Sequence, residues 1–262
     1  MAPSGLEVIG VCGRYAASKD PATLAAEFDA LDATEDHAPA TDYNVAPTKD
    51  VVAVVQRHPR DEDGNADPST TVRSLRVMRW GLIPMWAKDR SIGAKMINAR
   101  AEKAATTSAF RTSVAKRRCL VPADGWYEWR REGTVKQPFF MTDPSGHSLA
   151  MAGLWSVWRD PAAKDGPPVV SAAVLTTDAI GQLANVHDRM PLLMTPDKWA
   201  AWLDPDVDEV DELLATPPPL DFVESLELRP VSTKVNNVRN NGPELLERDE
   251  EKTNLTLFDN PS

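Results

Sequence analysis

Apolar, β-branched and aromatic runs follow one another along this chain without alternating with helices, and that order limits the folds open to it. Residues 51–55 read as a strand, as do 118–121, 138–142, 149–158 and 169–176. Val72, Leu75, Val77 and Trp80 suggest a strand returning from a polar hairpin loop at residues 58–70, which contains Asp63-Gly64-Asn65. A second surface loop, rich in Pro, Gly and Asp, covers residues 159–168. Helical patterns are few. Asp20-Pro21 offers an N-cap with proline in the first turn, followed by Leu24, Phe28 and Leu31 at helical spacing. Thr195-Pro196 opens a helix carrying Trp199, Trp202 and Leu203, and residues 206–216 form another until Pro217-Pro218-Pro219 stops it. This pattern argues against a doubly wound parallel sheet.

At 262 residues the chain makes one large domain or two small ones. No stretch approaches the roughly 18 apolar residues of a membrane-spanning helix. Cys12 and Cys119 are too few for a disulfide framework or, alone, for a four-ligand zinc site, and a reducing cytoplasm is expected. No metal or organic cofactor is implied, and a monomer is the simplest expectation. The net charge of −10 argues at first against nucleic acid. Its distribution argues the other way. Between Arg73 and Arg118 lie twelve Lys or Arg residues opposed only by Asp89 and Glu102. A bipolar molecule can present a basic groove despite its overall sign, although a solvated basic face without a ligand fits the charge equally well.

Six segments combine unusual residue types at short spacing. They are Cys12-Gly13-Arg14, Tyr43-Asn44-Val45-Ala46-Pro47, Trp80-Gly81-Leu82-Ile83-Pro84-Met85-Trp86, Asn98-Ala99-Arg100-Ala101-Glu102, Gly125-Trp126-Tyr127-Glu128-Trp129 and His187-Asp188-Arg189-Met190-Pro191. Singly, each has a plain structural reading: a lone Cys is usually a small buried hydrophobe, and tryptophan-rich strands are usually core. Cys119, inside an apolar run, is assigned to the core.

Together and in order, the six segments resemble the SOS response-associated peptidase (SRAP) family over nearly the whole chain. The resemblance implies an α+β fold: strand-rich, bent antiparallel sheets forming a pseudo-barrel with short peripheral helices. It implies one SRAP domain at residues 12–247, a charged and frayed tail at 248–262, and residues 1–11 as either a leader or a misassigned start. It also implies a function in the DNA damage response. SRAP proteins trap abasic sites in single-stranded DNA as a covalent DNA–protein crosslink, which places the protein in the cytoplasm with the nucleoid.

The chemistry such a role needs can be reasoned from the residues. An abasic deoxyribose opens to an aldehyde at C1′, and a primary amine condenses with it to a Schiff base. An N-terminal cysteine carries amine and thiol on adjacent carbons, so both close on C1′ as a thiazolidine with a large effective molarity. By motif, Cys12 is the nucleophile and Glu128 the general acid/base, its pKa raised by Trp126 and Trp129. His187, oriented by Asp188, shuttles protons, and Asn98 holds the amine. Arg14, Arg100 and Arg189 clamp phosphates. Trp86, Pro47 and Asn44 shape the DNA groove together with Trp129, and Thr176 and Thr177 contact the backbone.

One feature departs from the family. The reactive cysteine should be residue one, yet Cys12 follows eleven residues, and with Val11 attached its nitrogen is an amide. Val11 as a GTG-encoded start resolves this. So does removal of the extension by self-cleavage or another protease, while retention leaves the protein inactive in crosslinking. The principal alternative is a thiol peptidase or amidase using Cys12, His187 and Glu128. A non-catalytic single-strand binder is a third reading.

Overall fold

A computed structural model describes residues 12–250 apart from 36 and 164. Thirteen strands dominate the described residues. The first six are β1 (Tyr15–Ala17), β2 (Leu31–Asp32), β3 (Asp42–Val45), β4 (Asp50–Arg57), β5 (Val72–Trp80) and β6 (Asn98–Arg100). The others are β7 (Arg118–Ala123), β8 (Gly125–Glu132), β9 (Val135–Thr142), β10 (Leu149–Trp158), β11 (Val169–Asp178), β12 (Arg189–Pro191) and β13 (Glu227–Pro230). Six short helices accompany them: α1 (Pro21–Phe28), α2 (Ala101–Ala104), α3 (Arg111–Lys116), α4 (Pro196–Leu203), α5 (Asp211–Ala215) and α6 (Leu220–Ser225).

The larger sheet runs β12-β11-β10-β7-β4-β5-β2. It turns back on itself where β5 pairs with β11, through Ser171↔Arg79 and Ala172↔Trp80. The outcome is a ring held shut by a short parallel contact, so the pseudo-barrel expectation holds in ring-like form and not as a full barrel. The antiparallel expectation holds for most pairs, while β2–β5, β5–β11 and β6–β11 are parallel. The second sheet, β13-β9-β8-β1-β3, is antiparallel throughout and carries Cys12 at its edge, three residues before β1.

Two-sided burial explains why the ring strands are apolar at successive positions rather than alternate ones. Val51, Ala53 and Val55 of β4 face inward with Met78, Val121, Met151, Trp155 and Val174. The other faces present Val54, Leu75, Leu120, Ala152 and Leu154 to Leu24 and Phe28 of α1, Val114 of α3 and Trp202 of α4. Trp199 stacks on Phe28 with ring centroids 4.6 Å apart, joining α4 to α1.

Asp20 caps α1 by accepting from the Thr23 N–H at 2.9 Å, and Pro21 opens it, as the sequence predicts. The helix ends earlier than the apolar spacing suggests. Asp29 takes a left-handed conformation (φ 47°), and Leu31 lies exposed on β2. The helix expected over 206–216 is confined to Asp211–Ala215. Arg118 explains the loss: its guanidinium binds the carbonyls of Asp204 and Val207, holding that segment out of helical geometry. The triple proline does stop α5, but Pro219 also starts α6, which the sequence reading missed.

Chain packing continues past the expected domain boundary at 247. Arg248 bridges Val231 and pairs with Glu227, and the Asp249 N–H donates to the Pro230 carbonyl at 2.8 Å. The expectations for residues 1–11 and for the tail beyond 250 lie outside the described residues. Among the described residues no helix is long and apolar enough to cross a membrane.

Arg118 is buried and donates to five backbone carbonyls, those of Val114, Ala115, Trp202, Asp204 and Val207. Arg118→Ala strands acceptors from α3, α4 and the following loop at once. It is expected to destabilise the domain by about 3 kcal/mol. A denaturant midpoint shifted by less than about 1 kcal/mol at constant m-value would show that these helices dock without it.

Candidate functional site

Strand β8 places the site. Alternation along it sends Trp126 and Glu128 toward the ring interior, and Tyr127 and Trp129 toward the C-terminal segment. Gly125 starts the strand because a Cβ there would lie 2.2 Å from the Met141 carbonyl oxygen on β9. The Tyr127 N–H donates to the Arg14 carbonyl at 2.9 Å, holding the Cys12 segment alongside β8. Cys12 then turns with φ 49° and is buried, 4% exposed, as is Glu128 at 4%.

These two residues meet directly. The Cys12 backbone N–H donates to Glu128 Oε1 at 2.5 Å, and the thiol hydrogen-bonds to the same carboxylate. Burial pushes the Glu128 carboxyl up to about 7, against the opposing pull of the hydrogen bonds from the Cys12 N–H and thiol. The Cys12 thiol is pushed well above its ordinary value, first by burial and then by the Glu128 charge, with Arg189 acting the other way. The site therefore joins a carboxyl that titrates near neutrality to a sulfur that keeps its proton.

His187, half-buried, places Nδ1 2.8 Å from Asp188 Oδ1 and 3.0 Å from the Arg189 N–H. The amide requires Nδ1 as acceptor, whereas the carboxylate requires a hydrogen on it, so the tautomer of the ring selects between the two partners. Among the described residues no hydrogen bond joins His187 to the Cys12 thiol. Asn98 is half-buried on β6, where it pairs with Val174 of β11.

Three of the expected DNA contacts are enclosed by protein partners. Arg189 is enclosed: Nη1 and Nη2 donate to Glu102 Oε1 and Oε2 at 3.0 Å each, Nη1 also to Asp178 at 2.5 Å, and Nη2 to the Thr176 carbonyl at 2.7 Å. A phosphate at Arg189 would have to displace two carboxylates. Thr176 is buried behind that guanidinium with its hydroxyl 3.3 Å from Nη2, out of reach of a DNA backbone. Asn44 is fully buried, donating to the carbonyls of Val235, Asn237 and Asn240 and accepting from Arg14 Nη1 at 2.7 Å. It fastens the C-terminal segment instead of lining a groove.

The remaining candidates lie nearer the surface. Arg14 is half-buried, donating also to the Val235 carbonyl, with its guanidinium 5.9 Å from the Trp129 ring centre. Trp129, itself half-buried, donates to Asn236 Oδ1 at 2.7 Å. Pro47 and Thr177 are half-buried, and Arg100 is exposed just before α2. Trp86 is 59% exposed, while the other seven tryptophans are buried or half-buried. Glu102 was quoted in its motif without a role. Its fixed place two residues after Arg100 was the available signal, but only the fold reveals Arg189 as its partner.

The family model described as SOS response associated peptidase (SRAP) matches residues 11–238. The chain belongs to this family. Among its relatives, abasic site processing protein YoqW of Bacillus subtilis is 34% identical over 238 residues, covering 90% of this chain and 99% of the relative. Abasic site processing protein YedK of Escherichia coli is 33% identical over 244 residues, with the same coverage. Abasic site processing protein HMCES of Xenopus tropicalis is 34% identical over 203 residues, covering 69% of this chain and 59% of the relative. A crystal structure of a Bacteroides thetaiotaomicron protein shares the fold, with a TM-score of 0.73, 22% identity, and coverage of 90% of this chain and 99% of that one.

In this SRAP chain the raised Glu128 pKa has a stability signature. The unfolded carboxyl titrates near about 4.3 and the folded one near 7, so the folded state binds the extra proton between them. The neutral carboxyl's contribution is complete below about pH 4.3 and disappears as pH rises through about 7. Relative to Glu128→Gln, the wild type should therefore lose up to about 3 kcal/mol of stability between pH 4 and pH 8. A gap between the two unfolding curves that stays constant with pH would place the Glu128 pKa at its ordinary value.

Proposed function

We propose that the chain captures abasic sites in single-stranded DNA as a thiazolidine crosslink through Cys12, once Cys12 is the first residue. One observation carries the reading: the nitrogen and the sulfur of Cys12 both meet the same buried carboxylate, Glu128. Three relatives named abasic site processing proteins support the substrate class. The family match, which starts at residue 11, supports Cys12 as the start of the working domain.

The protonated Glu128 gives its proton to the ring oxygen of the sugar as the C1′–O4′ bond breaks, leaving the C1′ hydroxyl as a protonated aldehyde that the amine attacks. The free α-amine, with a pKa of about 7.7–8, attacks C1′ and expels water to give the Schiff base. The thiol then adds to C1′. Its proton passes to the Glu128 carboxylate as the C–S bond forms, and the C=N electron pair of the protonated Schiff base ends on nitrogen, leaving a neutral ring amine. The net loss is one water. A carboxyl titrating near 7 serves both directions of this exchange at cellular pH. His187 moves protons at the edge of the site, and exposed Arg100 and Trp86 hold the strand by charge and stacking. The same Schiff base opens a slow lyase route by β-elimination.

The thiol-peptidase reading needs a thiolate at Cys12. Burial and the neighbouring Glu128 charge both oppose that ion, which favours the crosslinking reading. Self-removal of residues 1–11 remains part of the proposal, as one route by which the amine is freed.

Intact mass tests the reading. Protein beginning at Cys12, mixed with an oligonucleotide bearing one abasic site, should gain the mass of the oligonucleotide less one water. The gain should vanish with Cys12→Ala and with N-acetylated Cys12. Glu128→Gln should slow its appearance on the order of 10²-fold. A full-rate adduct on acetylated protein would overturn the amine's role.

A further inference from the structure

The twelve cations between Arg73 and Arg118 divide by use. Arg118, Arg73 and Arg79 spend donors on backbone carbonyls. Arg76 and Arg117 instead converge with Arg57 and Arg60 at the other mouth of the ring. Along β11, Val170 at this mouth lies about 20 Å from Thr176, whose carbonyl holds Arg189 beside the Cys12 site. Here a cavity of about 620 Å³ is bordered by Arg57, Arg60, Arg76, Trp155 and Val170, and among the described residues Glu35 is the one carboxylate in its lining.

This cluster is unlike an ordinary solvated face. Arg57 and Arg117 lie over the Trp155 ring at 5.1 and 5.7 Å from its centre. Burial lowers the pKa of Arg57, and the like charges of Arg60, Arg117 and Arg76 lower it further. Among the described residues none of the four forms an ion pair with a carboxylate. Acidic residues around them include Asp61, next to Arg60 in the chain, Glu35, Asp204, which lines the adjoining cleft, and Asp206, which is bound to His58 at 3.0 Å. Four cations gathered without a carboxylate ion pair repel one another, and an anion relieves that repulsion.

The cluster also adjoins the exposed tryptophan. Arg117 Nη1 contacts Met85 Sδ at 3.3 Å, next to Trp86. The Trp86 loop is anchored beside this mouth by the Ile83 N–H on Ser171 Oγ (2.8 Å) and by Trp158 Nε1 on the Ala87 carbonyl (2.8 Å). An exposed aromatic therefore leads directly into a row of arginines, the arrangement that holds single strands by stacking and charge.

We propose that this cleft is a second contact for the single strand, taking sugar–phosphate backbone that has passed Trp86, with Arg57, Arg60, Arg76 and Arg117 on successive phosphates. The inference rests on the proposed function for the identity of the strand. At about 3.4 Å per stacked nucleotide, 20 Å spans roughly six nucleotides, inside the range of about 4–16 for single-strand sites.

The test compares single-stranded oligonucleotides of 6 and 16 nucleotides, without and with an abasic site. In the longer set the extra nucleotides lie 5′ of the central position in one series and 3′ in another. Wild type should bind one longer lesion-free series more tightly at low salt. Arg57→Ala/Arg76→Ala should erase that length gain and reduce the slope of log K against log salt by about 1.4, close to 0.7 per lost phosphate contact. Arg76→Ala alone, at an exposed residue, gives an intermediate slope and guards against misfolding of the double variant. No length gain in wild type, or an equal gain in the variants, overturns the cleft. Crosslinking of the 6-mer is each protein's own reference. If no length crosslinks to wild type, the proposed function fails, while lesion-free binding still decides the cleft.

Discussion

The contact between Cys12 and Glu128 is the constraint around which this SRAP domain is arranged. A carboxylate buried to 4% exposure is unfavourable unless it is hydrogen-bonded or protonated, and Glu128 has both escapes. The Cys12 N–H and thiol stabilise the ion, while desolvation favours the acid, leaving the group balanced near 7. A more open site would return Glu128 to an ordinary carboxylate. A drier one without Cys12 would hold it permanently neutral. Only the combination gives a group that both donates and accepts near neutral pH.

Holding that balance requires the surrounding backbone to stay in place. The Cys12 segment is held by the Arg14–Tyr127 backbone bond and the β1–β8 pairing. Behind it, Asn44 uses its whole amide to tie β3 to the 235–240 segment. On the ring side, the Arg189–Glu102–Asp178 cluster joins β12 to α2 and the end of β11. The Arg189 charge counters the rise of the thiol pKa. Arg189 thus influences the chemistry through its field while its donors remain with carboxylates. Net charge at the site depends on Glu102 and Asp178 as much as on the arginine.

Local rules made several elements legible. Asp20-Pro21 and Thr195-Pro196 announce helices because capping and proline geometry depend on adjacent residues, and both helices begin there. The 58–70 loop joins β4 and β5 as a hairpin, again a short-range feature. What the sequence hides is long-range. The β5–β11 closure connects residues about ninety positions apart through two pairs, and no periodicity marks it. Arg118 looked like part of a basic face because charge is visible in a sequence and carbonyl partners 84 to 89 residues away are not. Asn44, Thr176 and Arg189 sat in the right motifs, yet motif membership does not distinguish a residue that touches a ligand from one that supports its neighbours. Cys12 and Glu128, 116 positions apart, were paired beforehand only through resemblance.

Charge is what this molecule partitions most sharply. With an overall −10 the chain repels a phosphate backbone at long range, so any attraction must come from cations left without partners. Arginines paired with carboxylates are already compensated and add little to the external field. Arg100, Arg57, Arg60 and Arg76 are exposed, and among the described residues none forms an ion pair with a carboxylate. Those four, with half-buried Arg117, set the local potential. A count of basic residues therefore overstates the attractive surface, while the hydrogen-bond partners of each guanidinium locate it. Under the proposed function, specificity for a lesion falls to chemistry, because stacking and phosphate contacts treat every nucleotide alike while an aldehyde carbon is open to capture by two atoms of one cysteine.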